Sequence, residues 1–219
     1  LYYEEAGLAT LTDSAMMIQI DGLDSLFVHA DTLQSINDTA SISDSKILLA
    51  YKHVKIFRQD IQGMCDSLAY IEDDSTFHLF GAPVLWAEEN QLTASKIELQ
   101  TRNDEMYRLY MRNIALLTSK EDSTKYNQIR GKNMLGNFKD NDLVRLDVTG
   151  NGQTLYYAED NGVIMGVNKA ECTDLIIYLV DNQVHKVNYL VAPSGTYYPL
   201  SLLPANQAYL DGFGWYDDW

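Results

Sequence analysis

The sequence predicts an all-β fold of repeated antiparallel strands, and three observations predict it. Apolar and polar residues alternate with period two along most of the chain, the signature of half-buried antiparallel strands. The composition favours strand, with 15 Tyr, 6 Phe and 3 Trp against only 4 Pro. A short phrase also returns three times, as His29-Ala30-Asp31-Thr32-Leu33, Met64-Cys65-Asp66-Ser67-Leu68 and Thr93-Ala94-Ser95-Lys96-Ile97. Each copy carries a small residue, a polar pair and a branched aliphatic, at a period of roughly thirty residues that marks stacked supersecondary units.

The strands can be read in order. Val54 and Ile56 alternate with His53, Lys55 and Phe57. Asp66, Leu68 and Tyr70 are expected on one face, with the small residues Cys65, Ser67 and Ala69 on the other. Residues 100–117 have some helical spacing, but Tyr107, Leu109 and Met111 alternate with Arg108, Tyr110 and Arg112 too regularly for a helix. Val144, Leu146 and Val148 are set against Arg145, Asp147 and Thr149. Leu175 to Val180 is apolar on both faces and reads as a central strand.

Turn chemistry punctuates these runs. Asp21-Gly22, Glu72 to Ser75, Glu88 to Asn90, Asp140 to Asp142, Asn151-Gly152, Asp160 to Gly162 and Asp181-Asn182 all fall between alternating segments. Asn-Gly and Asp-Gly suit the left-handed conformations of tight hairpins, so the order of elements reads as an up-and-down meander or roll. The polar stretch Gln34 to Ser45 reads as a long loop. The chain divides into a repeat body over 1–191 and a proline- and aromatic-containing tail over 192–219. Pro193-Ser194-Gly195 and Tyr198-Pro199 break the ladder there, and the aromatics Tyr209, Phe213, Trp215, Tyr216 and Trp219 pack across an open end of the stack or lead into a further part of the protein.

Length and charge exclude several function classes. A chain of 219 residues buries a sizeable core without metal or disulfide staples. The balance of 16 basic against 31 acidic residues, net −15, argues against a nucleic-acid backbone as partner. Two cysteines, Cys65 and Cys172, are too few for a disulfide framework, and each reads as a buried free thiol. No apolar run is long enough to span a membrane as a helix. Leu1 begins inside an apparent strand, which reads as a trimmed or matured segment, consistent with removal of an export signal.

Catalytic chemistry is hard to find. His29, His53, His78 and His185 show no metal-ligand spacing. Ser67 and Ser75 have no nearby histidine, Asp140-Asn141-Asp142 is too short for a calcium loop, and Gly131, Gly136, Gly150 and Gly152 form no phosphate cradle. No catalytic residue, cofactor or metal is expected. What remains is the strand face itself, which can close over a core or leave an apolar groove suited to acyl chains.

The phrase Ala30-Asp31-Thr32-Leu33, its variant Cys65-Asp66-Ser67-Leu68-Ala69-Tyr70, and the block Leu79 to Trp86 followed by Gln91-Leu92-Thr93-Ala94 resemble the OstA/LptA family of periplasmic lipopolysaccharide-transport proteins. In that pattern a glycine-containing strand precedes a turn and an L-x-A-D-x-I strand, with Ser95 replacing the aspartate in the third copy. Asn127 to Phe138, Val148 to Asn151, Leu155 to Tyr157 and the ending Leu210 to Trp215 are similar to the larger OstA-like branch. The resemblance covers residues 6 to 191 and the tail, and its specificity lies in the order of the motifs. It implies a two-sheet, V-shaped β-jellyroll whose interior receives lipid A acyl chains, and members that join through exposed edge strands.

Function follows as an expectation: a non-catalytic, exported periplasmic protein that carries lipopolysaccharide during outer-membrane biogenesis. Self-association or other bridge proteins are the expected partners. By alternation, the groove-facing residues are Val54, Ile56, Leu68, Tyr70, Phe77, Leu79, Ile97, Leu99, Leu109, Met111, Val144, Leu146 and Val148. The rival reading is an extracellular carbohydrate-binding or adhesion module on a β-solenoid, with Trp86, Tyr110 and Tyr156 as outer platforms. A polysaccharide-cleaving β-helix would need clustered carboxylates, which the alternating runs lack. Asp13-Ser14-Ala15, Asp24-Ser25-Leu26, Asp31-Thr32-Leu33, Asp38-Thr39-Ala40 and Asp66-Ser67-Leu68 also match an Asp-Ser/Thr-aliphatic form resembling bacterial O-glycosylation sites; ordinary strand and turn composition is the favoured reading.

Overall fold

Alternation resolves into strands paired almost entirely as sequential antiparallel hairpins. The structure, a computed structural model, describes residues 2–5, 7–21, 24–37, 45–103, 105–180 and 183–217. The first strands are β1 (Tyr2–Glu5), β2 (Leu8–Asp21), β3 (Asp24–Asn37), β4 (Lys46–Phe57) and β5 (Gln62–Ile71). They are followed by β6 (Thr76–Phe80), β7 (Val84–Ala87), β8 (Asn90–Thr93), β9 (Lys96–Arg102) and β10 (Glu105–Lys120). The last are β11 (Tyr126–Lys139), β12 (Asp142–Asp160), β13 (Val163–Val180), β14 (Gln183–Leu190) and β15 (Ser194–Pro199). Two single turns of 3₁₀ helix, Leu200–Leu202 and Ala205–Gln207, open the tail.

The long strands bend in the middle, and the bends line up. Thr12 pairs with Thr32 and Ala15 with Ala30, so Asp13 and Ser14 oppose the single residue Asp31. Lys52 and His53 likewise oppose Asp66, Asn113 and Ile114 oppose Lys132, and Gly150 and Asn151 oppose Thr173. Two residues facing one is the geometry of a bulge, which sharpens the bend of a strand. Every doubled position has left-handed backbone: φ is 66° and 59° at Asp13 and Ser14, 63° and 50° at Lys52 and His53, and 59° and 55° at Asn113 and Ile114. Ile114 is a β-branched residue that rarely adopts this region, so the ladder on either side must enforce it.

This row of corners folds the ladder into two sheets. Sheet I holds β1, β6, β9 and β14 with one half of each bent strand; sheet II holds β7, β8 and β15 with the other half. Their facing sides form one apolar core that includes Val28, Leu33, Leu68, Leu85, Ile97, Met111, Leu146 and Leu175. Each such side chain contributes about 1.5–3 kcal/mol by leaving water. The result is the two-sheet β-jellyroll.

The repeated phrase is the corner itself. Ala30, Cys65 and Ala94 are buried at the fold line, and Leu33, Leu68 and Ile97 are the first inward residues beyond it. Two further copies occupy the same place: Arg130-Gly131-Lys132-Asn133-Met134 in β11 and Glu171-Cys172-Thr173-Asp174-Leu175 in β13. The small residue is a steric requirement where the sheets converge, since a Cβ on Gly131 would lie 2.3 Å from Val148 Cγ1. Several Asp-Ser/Thr matches, at Asp13, Asp31 and Asp66, are corner residues on the same line; Asp38-Thr39-Ala40 lies outside the described residues.

Three expectations need correction. Gln34 to Asn37 is not loop but the end of β3, paired with Lys46 to Leu49; residues 38–44 lie outside the described residues. Cys65 does not oppose Leu68, because the corner at Asp66 resets the alternation and turns both inward. Ser194 to Pro199 does not break the ladder but pairs with Glu171 to Gly166 as an edge strand, a position that tolerates proline.

Candidate functional site

The inward faces form an apolar trough along the stack. Val54, Ile56, Leu68, Leu79, Ile97, Leu99, Leu109, Met111, Leu146 and Val148 are all buried members of the core cluster. Tyr70 and Phe77 face inward as a half-buried stacked pair, ring centroids 4.3 Å apart, packed against that cluster. Val144 departs from the set. It falls in a bulge between Leu143 and Arg145, so Leu143 takes the inward place and packs against Gly136, where a Cβ would lie 3.0 Å from Leu143 Cδ1. The alternate positions face out: Lys55 is exposed, and Arg145 forms a bidentate pair with Asp147, its Nη2 2.6 Å from Oδ1.

The trough is filled by its own side chains in the middle and loses its cover toward β14 and β15. Tyr156, Tyr189 and Tyr197 share the inward side there yet are 49%, 37% and 49% exposed. Val184, paired with the inward Leu179, is also half exposed. One hydrogen bond crosses the gap, Thr154 Oγ1 to Tyr189 Oη at 2.9 Å. The opposite end is better covered, with Ala15 and Val28 buried and Leu11, Met17 and Leu26 packed on the core. Alternation gave the inward positions of the middle strands, but the tyrosines of the uncovered end lay beyond it. Their signal was three tyrosines in register phase with Leu175 and Gly152.

Among the described residues no reactive constellation accompanies the trough. Both cysteines are free thiols, and burial pushes Cys65 up to about 12, with Cys172 raised for the same reason. Neither is a thiolate near neutral pH. Among the described residues no group of three or more His, Cys, Asp or Glu could hold a metal ion. Trp86 and Tyr110 are half-buried on outer faces, whereas Tyr156 faces inward. No helix among the described residues is long and apolar enough to cross a membrane.

Charge is segregated to the outside. On the outer face of sheet I, Glu98 receives Lys96 Nζ at 2.7 Å and Arg112 Nη2 at 2.8 Å. Burial raises the Glu98 carboxyl, but these two cations together hold it below the ordinary carboxylate range. Arg108 Nη1 donates to Tyr110 Oη at 3.3 Å, and Arg102 stacks on Tyr107 at 3.9 Å. The cations leave the trough lining apolar.

The tail lies across the outer face of sheet II, not across an end of the stack. Two buried glutamines hold it by its backbone. Gln128 Oε1 accepts from Leu210 N at 2.8 Å while its Nε2 donates to Ala208 O at 3.2 Å. Gln91 repeats the arrangement, accepting from Tyr216 N at 2.8 Å and donating to Gly214 O at 2.6 Å. A carboxamide offers an acceptor oxygen and a donor nitrogen, so it pairs with the passing backbone as a neighbouring strand would. Leu210 is buried with Leu155, Tyr157 and Val167, and Phe213 and Trp215 pack on Tyr126.

Comparison with known proteins rests on the fold. No protein-family model and no curated protein sequence matches the chain. Among solved structures, the chain is similar to LptH of Pseudomonas aeruginosa, the LptA-homologous periplasmic component of a lipopolysaccharide transport device. The match has a TM-score of 0.50 at 15% identity, covering 64% of this chain and 96% of LptH. The chain therefore has the LptA-like jellyroll fold.

Proposed function

We propose that the chain is a non-catalytic periplasmic component of lipopolysaccharide transport that holds lipid A acyl chains between its two sheets. The observation that carries this reading is a fold like that of LptH, matched over nearly the whole of that protein, combined with an apolar inward face running from β2 to β14. Acyl chains suit such a face because each buried methylene contributes about 0.8 kcal/mol without a specific partner. Entry is at the β14–β15 end, where Val184 and the three tyrosines are uncovered and phenol groups can meet the polar part of a lipid. Further along, chains are admitted as the sheets part and apolar side chains exchange one another for hydrocarbon. Val54, Ile56, Leu68, Tyr70, Phe77, Leu79, Ile97, Leu99, Leu109, Met111, Leu146 and Val148 form the lining, with Val144 at its margin. Edge strands β1 and β14 offer unpaired backbone for end-to-end joining to another copy or another bridge protein.

Titration with purified lipid A tests the reading. Saturable binding is expected, weakened about tenfold or more by Val184→Asp, which puts a charge on the inward face. Ile18→Asp, at a similarly exposed outward position, is expected to leave it unchanged. Absence of saturable binding, or equal loss in both variants, overturns the proposal.

A further inference from the structure

The tail follows a track that continues beyond it. Ladder pairing places Gln128 beside Thr118, Thr118 beside Gln91, and Gln91 beside Trp86 on the outer face of sheet II. Lys169, two strands further back on β13, bonds Gln207 at 2.6 Å. The tail thus crosses the strands along one row and reaches its last described residues, Tyr216 and Asp217, beside Trp86 and Gln62. The row itself goes on: Trp86 pairs with Gln62, Gln62 with Phe57, Phe57 with Phe27 and Phe27 with Ile18.

Beyond Gln62 the row is apolar, with Phe57 and Ile18 exposed and Phe27 half-buried. Ile18, Phe57 and the adjoining Met16 are 50%, 40% and 55% exposed, and the Phe27 and Phe57 rings lie 6.2 Å apart at 58°. Met16, Phe27 and Phe57 line a shallow concavity with His29 and Lys55. Apolar outer residues grouped this way mark an interaction surface, whereas scattered ones do not. From Trp86 to Ile18 the row spans about 19 Å at ordinary strand spacing, room for roughly six extended residues.

We infer that this part of sheet II is a docking site for an extended aromatic and acidic polypeptide segment presented by another protein molecule. Two observations choose that occupant. The patch is continuous with the interface the tail already makes, where the same row accepts a chain segment bearing Phe213, Trp215 and Asp217. Lys55 and His29 flank the apolar floor, matching a segment that carries carboxylates beside its rings. The site lies outside the trough and does not depend on what the trough carries.

A labelled peptide of the sequence of residues 207–217, titrated onto the whole chain and followed by fluorescence anisotropy, tests the inference. Saturable binding is expected, weakened about tenfold or more by Phe57→Asp and by Met16→Asp. Gln128→Ala, under the resident tail, is expected not to weaken it. Both aspartate positions are already exposed, and Met16→Asp decides the matter if the Phe57 variant fails to fold. No saturable binding, binding insensitive to both aspartates, or binding lost in Gln128→Ala overturns the inference. So does Met16-dependent flotation with anionic phospholipid vesicles in the absence of peptide binding, which would make the patch a lipid-facing surface.

Discussion

Gly131→Val is expected to destabilise the chain by about 3 kcal/mol or more, at the upper end for overpacking a core. The first added atom would lie 2.3 Å from Val148 Cγ1, and Val148 is fully buried opposite the corner. Valine is stiff at χ1, so its methyl cannot swing clear as the end of a long chain could. Urea unfolding gives the measurement: the midpoint should fall with little change in slope, because the same surface is exposed on unfolding. Val148→Ala added to Gly131→Val should restore part of the loss, a coupling that only neighbours show. A shift below about 1 kcal/mol would mean that the sheets do not converge at this corner.

Gln128→Leu is expected to release the tail while sparing the sheets. It removes the partners of Leu210 N–H and Ala208 C=O at a buried place, a loss of about 2–4 kcal/mol for two orphaned backbone groups. Limited proteolysis should then cut within residues 200–217 well before the strands, and the fluorescence of Trp215, which rests on Tyr126, should shift toward that of exposed indole. Gln128→Glu is expected to fail as well, since it keeps the acceptor for Leu210 but loses the donor to Ala208 and buries a charge. If the tail stays protected in both variants, the amide clamp is not what holds it.

Much of this architecture was written in alternation. Val54, Ile56, Leu109, Met111, Leu146 and Val148 turn inward as period two requires, because antiparallel strands with one wet face leave that pattern in any sequence. The corners were legible only as a repeated phrase of unknown purpose. Their doubled residues, such as Lys52-His53 and Asn113-Ile114, are not the glycines or Asn-Gly pairs that announce left-handed backbone. The last two copies are hidden because glycine takes the small position in one, at Gly131, and the lengthening strands stretch the period. Phase was lost at the corner residue Asp66, where Cys65 and Leu68 both turn inward, and at Val144, where a bulge adds a residue. The tail's seat was hidden for another reason: Gln91 and Gln128 look like ordinary outward polar residues until the tail covers them.

Photo-crosslinking to lipopolysaccharide, from a reactive residue placed by turns at Tyr70, Phe77 and Leu99 and then at Lys55 and Arg145, is the most direct test of whether the concave faces hold hydrocarbon. Adducts from the first three positions and none from the last two are the outcome required. Adducts confined to Lys55 and Arg145 would put the lipid on the wrong side of the sheets and end the carrier reading.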